Sequence, residues 1–448
     1  MFQKTLKLPI INWQSVWTYT QLGLLIFPLI PAVGGVGLAL AILTTLKQDY
    51  RQIIQRPLNW GLAVWSVWLA IASCFAYKPT EAFLGLANFL PFLLLFAAFS
   101  VLIQTPKQLR QLAWILVIPS LPIVILGLGQ QFLGWASPKQ LLNIVGWMLE
   151  PNGNPPGRMA SVFMYANILA AYLQLVFIVS LGLWIESFYR WRQHWTKIRG
   201  WIFVLLSVTV IGNAIALIFT NSRNAWGIAF LAALAFTIYL GWRWIVLAVA
   251  TAASAILWAS FGPELGRQSL RRIVPAFFWA RLSDQMYPNR PVATLRVTQW
   301  QFAWNMTQER PWLGWGLRNF TPLYEAKMQL WLGHPHNLLL MLTAETGIPA
   351  TLFFCGLIGW VLAQGVLLLR NWSEVTSPEF EPNWNQDRLI FFTYLLAFGG
   401  FTLFNLADVT LFDLRVNTLG WLLLSAICGV VHRYRGFSVG SSFQEVDY

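Results

Sequence analysis

Long apolar runs separated by short polar joints dominate the chain. They lie near 17–30, 31–46, 58–76, 82–103, 109–133, 160–185, 200–220, 225–241, 243–260, 336–369, 389–407 and 416–431. Most approach the length that crosses a bilayer, about 20 residues at 1.5 Å rise each. The first two are short and meet at Pro28 and Pro31, which reads either as a tight hairpin or as one long broken helix. The hairpin gives twelve spans with both ends of the chain on one side. The pattern therefore predicts an all-α integral membrane protein of about twelve transmembrane helices, a single polytopic domain over 1–448. One long non-spanning segment, 262–335, is left between spans and is expected to carry short amphipathic helices.

Composition agrees with this reading. Hydrophobic residues make up 57% and charged residues 10%, where soluble domains carry about 25% charge; the mean hydropathy is +0.56. A net charge of +13 would suggest nucleic acid if it lined one soluble face. Here the basic residues are scattered over short joints, so they report topology and no nucleic-acid partner is expected. The hairpin puts Lys4 and Lys7, Lys47, Arg51 and Arg56, Lys107 and Arg110, Arg190 to Arg199, Arg243, Arg370, Arg388, Arg433 and Arg435 on the inner side. The short outer joints keep only Lys78, Lys139, Arg158, Arg223 and Arg415. One long first helix would reverse that asymmetry. Segment 262–335 then faces outward with Arg267, Arg271, Arg272, Arg281, Arg290, Arg296, Arg310 and Arg318, a surface suited to an anionic partner. The tail from Ser438 is polar and expected to fray. Cys74, Cys355 and Cys428 lie inside apolar segments without metal-like spacing and read as buried small hydrophobes.

Candidate chemistry gathers at the outer joints. His334, Pro335, His336 and Asn337 stand where the long segment enters the next apolar run. Pro is favoured at a first helical position, which predicts that His336 lies in a first turn, neutral beside the positive helix end, with Thr343 and Gly347 on its face. His334 would support or cap that helix, and Pro349 would kink it. Arg223 sits in a joint with no acid near it in sequence, and Arg296 lines up with Trp300 and Trp304 at i+4 spacing on a helix at headgroup depth. Arginine matches phosphate oxygens bidentately. Arg158 and Asn167 flank another outer joint. Each has a plainer alternative: an imidazole satisfied by a loop carbonyl, a snorkelling Arg223, a cation–π surface helix for Arg296. Asp408 and Asp413 read as solvated turn residues. There is no phosphate-binding loop, no nucleophile elbow and no zinc-protease helix motif.

These residues resemble the O-antigen ligase and polymerase family of bacterial membrane glycosyltransferases, chiefly over 223–356 with a weaker echo at 158–170. His336, Asn337, nine residues and Gly347 resemble its His-Asn-x9-Gly signature, with Ala350 at its last position. Pro311, Gly314, Gly316, Asn319 and Phe320 resemble its Pro-x-x-Gly-x-Gly-x-x-Asn-Phe stretch. Ser222-Arg223 resembles its first arginine motif, with Gly227 where Leu is frequent, and Arg296 takes the place of the second arginine. The resemblance puts a ligase-like core over 200–369. It implies inverting transfer of an undecaprenyl-diphosphate-linked glycan to a hydroxyl of a lipid or glycan acceptor, with no metal and no cofactor. His336 would be catalytic, with Arg223, Arg296, Asn337, Arg158 and His334 binding substrate. It also implies the bacterial inner membrane, amid its lipids, with cytoplasmic termini and a periplasmic active face. Repeat-unit polymerases belong to the same family, and some members are labelled inorganic-carbon transporters. Transport would call for ionisable residues or broken helices at the bilayer midplane.

Overall fold

A computed structural model describes residues 15–283, 285, 291–372 and 384–441. Lys4, Lys7, Arg290 and the end of the polar tail, 442–448, lie outside the described residues. Among the described residues the chain is helical and has no strand. Ten helices are long and apolar enough to cross a membrane, as a multi-pass membrane protein requires. Two expected spans fall short: Val16–Ile26 has 11 described helical residues, and Arg223–Tyr239 has 17. The helix Leu414–Ser441 takes in the first four residues of the polar tail.

Local sequence sets the helix starts. Pro31, Pro57, Pro79 and Pro106 each stand in a first helical position, where the missing N–H costs nothing. Thr105 and Gln108 add a reciprocal cap. The first apolar stretch is a hairpin: Val16–Ile26 and Pro31–Gln48 meet at Gly23 and Gly37, where a methyl added to Gly37 would lie 3.0 Å from Gly23 Cα.

Burial separates centre from rim. Leu414–Tyr434 is 89% buried and Ala166–Gln193 is 78% buried, against 11% for Arg243–Phe261. Cys74 and Cys355 are exposed on the apolar surface rather than buried. Charged networks mark the two ends of the 28-residue helix Ala166–Gln193, about 40 Å apart at 1.5 Å per residue. At its C-terminal end Arg110 bridges Glu186 and Asp387, and Arg190 joins Glu186. At its N-terminal end lie Arg158, Asn167 and Asp408.

The segment between spans builds a cap at that second end. The helix Arg296–Glu309 and the helix Phe320–Met328 enclose a small core of Phe302, Ala303, Met306, Phe320 and Tyr324 with Ala344. The run expected at 336–369 is two helices, Leu338–Thr346 and Ile348–Arg370. The break falls at Gly347, with φ +84°, and Pro349 stands in the first turn of the second helix. The Pro311–Phe320 loop seals the break. Trp315 N–H donates to Ala344 O, Gly316 N–H to Glu345 O, and Ile348 N–H to Pro311 O, at 2.8–2.9 Å. The buried Glu345 carboxylate accepts from Phe320 N–H at 3.1 Å. A methyl group on Gly347 would lie 2.0 Å from Trp312 O.

Gly347→Ala is therefore expected to cost about 2 kcal/mol or more, through left-handed strain and overlap. Gly356→Ala, where an added methyl meets nothing within 4 Å, should be nearly silent. Melting curves of the two variants in detergent check this.

Candidate active site

Five chain segments converge at the N-terminal end of Ala166–Gln193. The 158–165 turn is clamped on one side by Gln130, whose Oε1 accepts from Ala160 and Ser161 N–H at 3.1 and 2.8 Å. On the other side Arg415 donates to Val162 O at 2.9 Å and covers the Phe163 ring. So held, Arg158 donates Nε–H to Thr220 O at 2.8 Å and Nη2–H to Asn167 Oδ1. Asn167 passes its amide N–H to Asp408 Oδ2 at 2.6 Å.

Asp408 is the hub. It lies between Trp384–Asn405 and Leu414–Ser441 and is only 3% exposed. Oδ1 is 2.8 Å from His336 Nδ1 and accepts from Val409 N–H at 2.9 Å. His334 Nε2 stands 4.0 Å from Oδ1, and Arg296 Nη2 stands 4.0 Å from Oδ2. Burial by itself would raise this carboxyl. The hydrogen bond and charge of His336, with His334 and Arg296, outweigh burial and hold it at about 2. Asp408 is therefore not a solvated turn residue, and Arg296 does have a carboxylate beside it. Asp413 is not simply solvated either: its Oδ1 accepts from Arg415 and Val416 N–H, and it pairs with Arg415.

His336 differs from its expected placement. It is not in a first helical turn. Its φ is +52°, and the helix begins two residues later, with Asn337 Oδ1 accepting from Leu340 N–H at 3.0 Å. Asn337 thus caps the helix, a task expected of His334. Thr343 does not share a helical face with His336; its hydroxyl meets Thr307 Oγ1 at 3.1 Å. What governs the His336 proton is Asp408 rather than a helix end. A carboxylate oxygen at 2.8 Å makes Nδ1 the protonated nitrogen, and the neutral ring then carries its lone pair on Nε2.

His334 is fixed in the complementary tautomer. His336 N–H donates to its Nδ1 at 3.2 Å, so Nε2 bears the proton and faces Asp408. Burial and the neighbouring His336 outweigh Asp408 and hold His334 at about 4, neutral near pH 7. The three ligating atoms of His334, His336 and Asp408 lie within 4.8 Å of one another, a spacing that a metal ion accepts. Coordination would require both imidazoles to give up the protons that these hydrogen bonds assign to them.

Arg223 opens the helix Arg223–Tyr239. Its Nη1 donates to Arg281 O and Leu282 O at 3.3 and 3.4 Å, at the carbonyl end of the helix Ala276–Leu282. Arg281 returns two bonds to Asn221 O, at 3.2 and 2.9 Å. Arg223 is therefore held by backbone carbonyls and is not a snorkelling side chain. His336, His334, Arg296, Arg158 and Asn167 thus gather on or around Asp408, Asn337 starts the helix behind His336, and Arg223 sits with Arg281. Asp408 and Arg281 were missed. An acid set among apolar residues at the end of a span was the available signal for Asp408.

Residues 208–355 match the family model described as O-antigen ligase. The chain carries an O-antigen ligase domain. That supports glycosyl transfer of the ligase or polymerase type as the function of this membrane protein, with a lipid-linked glycan and an acceptor as partners. The matched stretch contains Arg223, Arg281, Arg296, His334 and His336, whereas Arg158, Asn167 and Asp408 lie outside it. No curated protein matches the chain.

Asp408→Asn keeps the shape of the hub and removes its charge. A folded variant with glycan transfer slowed about a hundredfold or more is expected, measured against wild type at equal membrane content. A wild-type rate would show that His336 needs no anionic partner.

Proposed function

We propose that the protein transfers a glycan from a polyprenyl diphosphate, undecaprenyl diphosphate in bacteria, to an acceptor hydroxyl, with His336 as general base. The observation that carries this reading is the His336–Asp408 pair. Asp408 engages Nδ1 at 2.8 Å, which leaves Nε2 as the nitrogen to accept a proton, and the ring borders a cavity of about 640 Å³ where a hydroxyl would lie. The arrangement follows the logic of a nucleophile, a base and an orienting acid.

The acceptor oxygen bonds to the anomeric carbon as its proton passes to Nε2. The bond from that carbon to the diphosphate oxygen breaks on the opposite face, the leaving group keeps the electron pair, and the sugar carbon inverts. Arg296 stands on the Oδ2 side of Asp408, Arg158 on the Asn167 that serves it, and Arg223 with Arg281 and Leu282. There they would neutralise the diphosphate as negative charge collects on it, with fork geometry that Lys lacks. His334, neutral, would hold His336 in register through the backbone bond. Asn337 would act by starting a helix directly behind the base. The arginines make a metal ion unnecessary for this step.

Topology supports an outward active face. The helix connections sort into two sets, and the Arg110–Glu186–Arg190 end holds the more basic joints, which the positive-inside rule assigns to the cytoplasm. In intact spheroplasts, Ser283→Cys should react with an impermeant thiol reagent and Gln193→Cys should not. The reverse pattern would move the chemistry to the other face.

His336→Ala should remain membrane-inserted and bind donor yet lose transfer by about a hundredfold to ten-thousandfold, with His334→Ala milder and Arg296→Lys strongly impaired. The assay is transfer by the purified protein, with and without chelator. Wild-type turnover by His336→Ala would sink the base assignment, and loss of wild-type turnover with chelator would favour a metal at His334, His336 and Asp408.

A further inference from the structure

The cavity beside His336 has a chemical character of its own. Its walls are Lys78 and Glu81 at the start of one helix, Arg318, Thr321 and Glu325 on the cap, and Trp331 and Phe412 at the mouth. Its volume of about 640 Å³ falls within the range of about 300–1,000 Å³ usual for small-molecule sites. The walls are tied in place. Asn319 Oδ1 accepts from Lys78 N–H at 2.8 Å, and Thr321 donates to Gly333 O at 3.1 Å, pinning the loop that carries Trp331 and His334.

Two features decide what fits. The formal charges balance, with Lys78 and Arg318 against Glu81 and Glu325, and Arg318 lies 3.4 Å from Glu81. None of Arg158, Arg223, Arg281 or Arg296 lines the cavity; Arg158 and Arg296 lie behind its wall, near Tyr165. The rim also offers a flat indole, Trp331, 68% exposed, beside carboxylates that accept hydrogen bonds. A saccharide presents that combination: an apolar C–H face for an aromatic ring and hydroxyl donors for carboxylates.

We propose that this cavity is the acceptor site and that the acceptor is an uncharged saccharide rather than a phosphorylated one. The inference rests on the transferase reading for the word acceptor. A nucleophile must approach opposite the leaving diphosphate; His336, which lines the cavity, engages Oδ1 of Asp408, whereas Asn167 and Arg296 approach Oδ2. A phosphate group would meet Glu81 and Glu325 without the arginine surplus that an anion needs.

The test uses the full chain in lipid nanodiscs, titrated with neutral gluco-, galacto-, manno- and N-acetylglucosamine-based trisaccharides and with the same sugars carrying one phosphate monoester. At least one neutral trisaccharide should bind, and its phosphorylated counterpart should bind more weakly. Trp331→Ala should weaken the neutral sugar about tenfold and Glu325→Gln less, while donor affinity stays at the wild-type value in both. Preference for the phosphorylated sugars overturns the proposal. So does an absence of saccharide binding, indifference to Trp331→Ala, or a loss confined to donor affinity, which would make the cavity the seat of the donor glycan. If the neutral sugar binds through Trp331 but wild type never transfers glycan to it or to any acceptor, saccharide recognition stands and the transferase reading is what fails.

Discussion

A carboxylate with almost no access to solvent, Asp408, is the constraint on which the site depends. Removing a charge from water is expensive unless the protein returns the lost hydrogen bonds. Asp408 receives them from Asn167, His336 and its own chain neighbour Val409, with Arg296 and His334 at 4.0 Å. Each donor comes from a different segment, so satisfying one anion fixes the relative positions of the 158–167 turn, the base, the long loop and the connection between two spans. The left-handed backbone at His336 is part of the same bargain, a strained conformation held because Asp408 and the Asn337 cap lie on either side of it.

The long central helix Ala166–Gln193 ties this end to the other. It begins one residue before Asn167 and carries Glu186 and Arg190 near its far end, where Arg110 and Asp387 dock. Asn167 thus ties the Asp408 connection to a rigid strut. His336 and Asp408 themselves stand on connections between helices, so their 2.8 Å contact holds those two connections to each other.

Much of this was legible from the residues. Apolar runs located most of the helices, and the joint at Pro28 and Pro31 gave the hairpin that Gly23 and Gly37 now close. His336, His334, Arg296, Arg223, Arg158 and Asn167 were each visible as polar residues in costly places. Their mutual arrangement was not visible, because it depends on Asp408, which lies 241 residues from Asn167 and 72 from His336. No local periodicity links such distances. The helix start behind His336 was misplaced for a local reason: Pro335 resembles a first helical residue, but Asn337 is the stronger cap and shifts the start to Leu338. The break beside Gly347 was legible from Pro349, although the left-handed glycine rather than the proline turns the chain there.

The order in which these parts emerge from the ribosome has a consequence of its own. Between His336 and Asp408 the chain must thread Ile348–Arg370 and then Trp384–Asn405 into the bilayer. Until the translocon has released both, the imidazole has no acid to orient it. On the transferase reading, a partly synthesised chain would carry the arginines proposed for the donor but no oriented base, so the site would be completed only when the last two spans are in place.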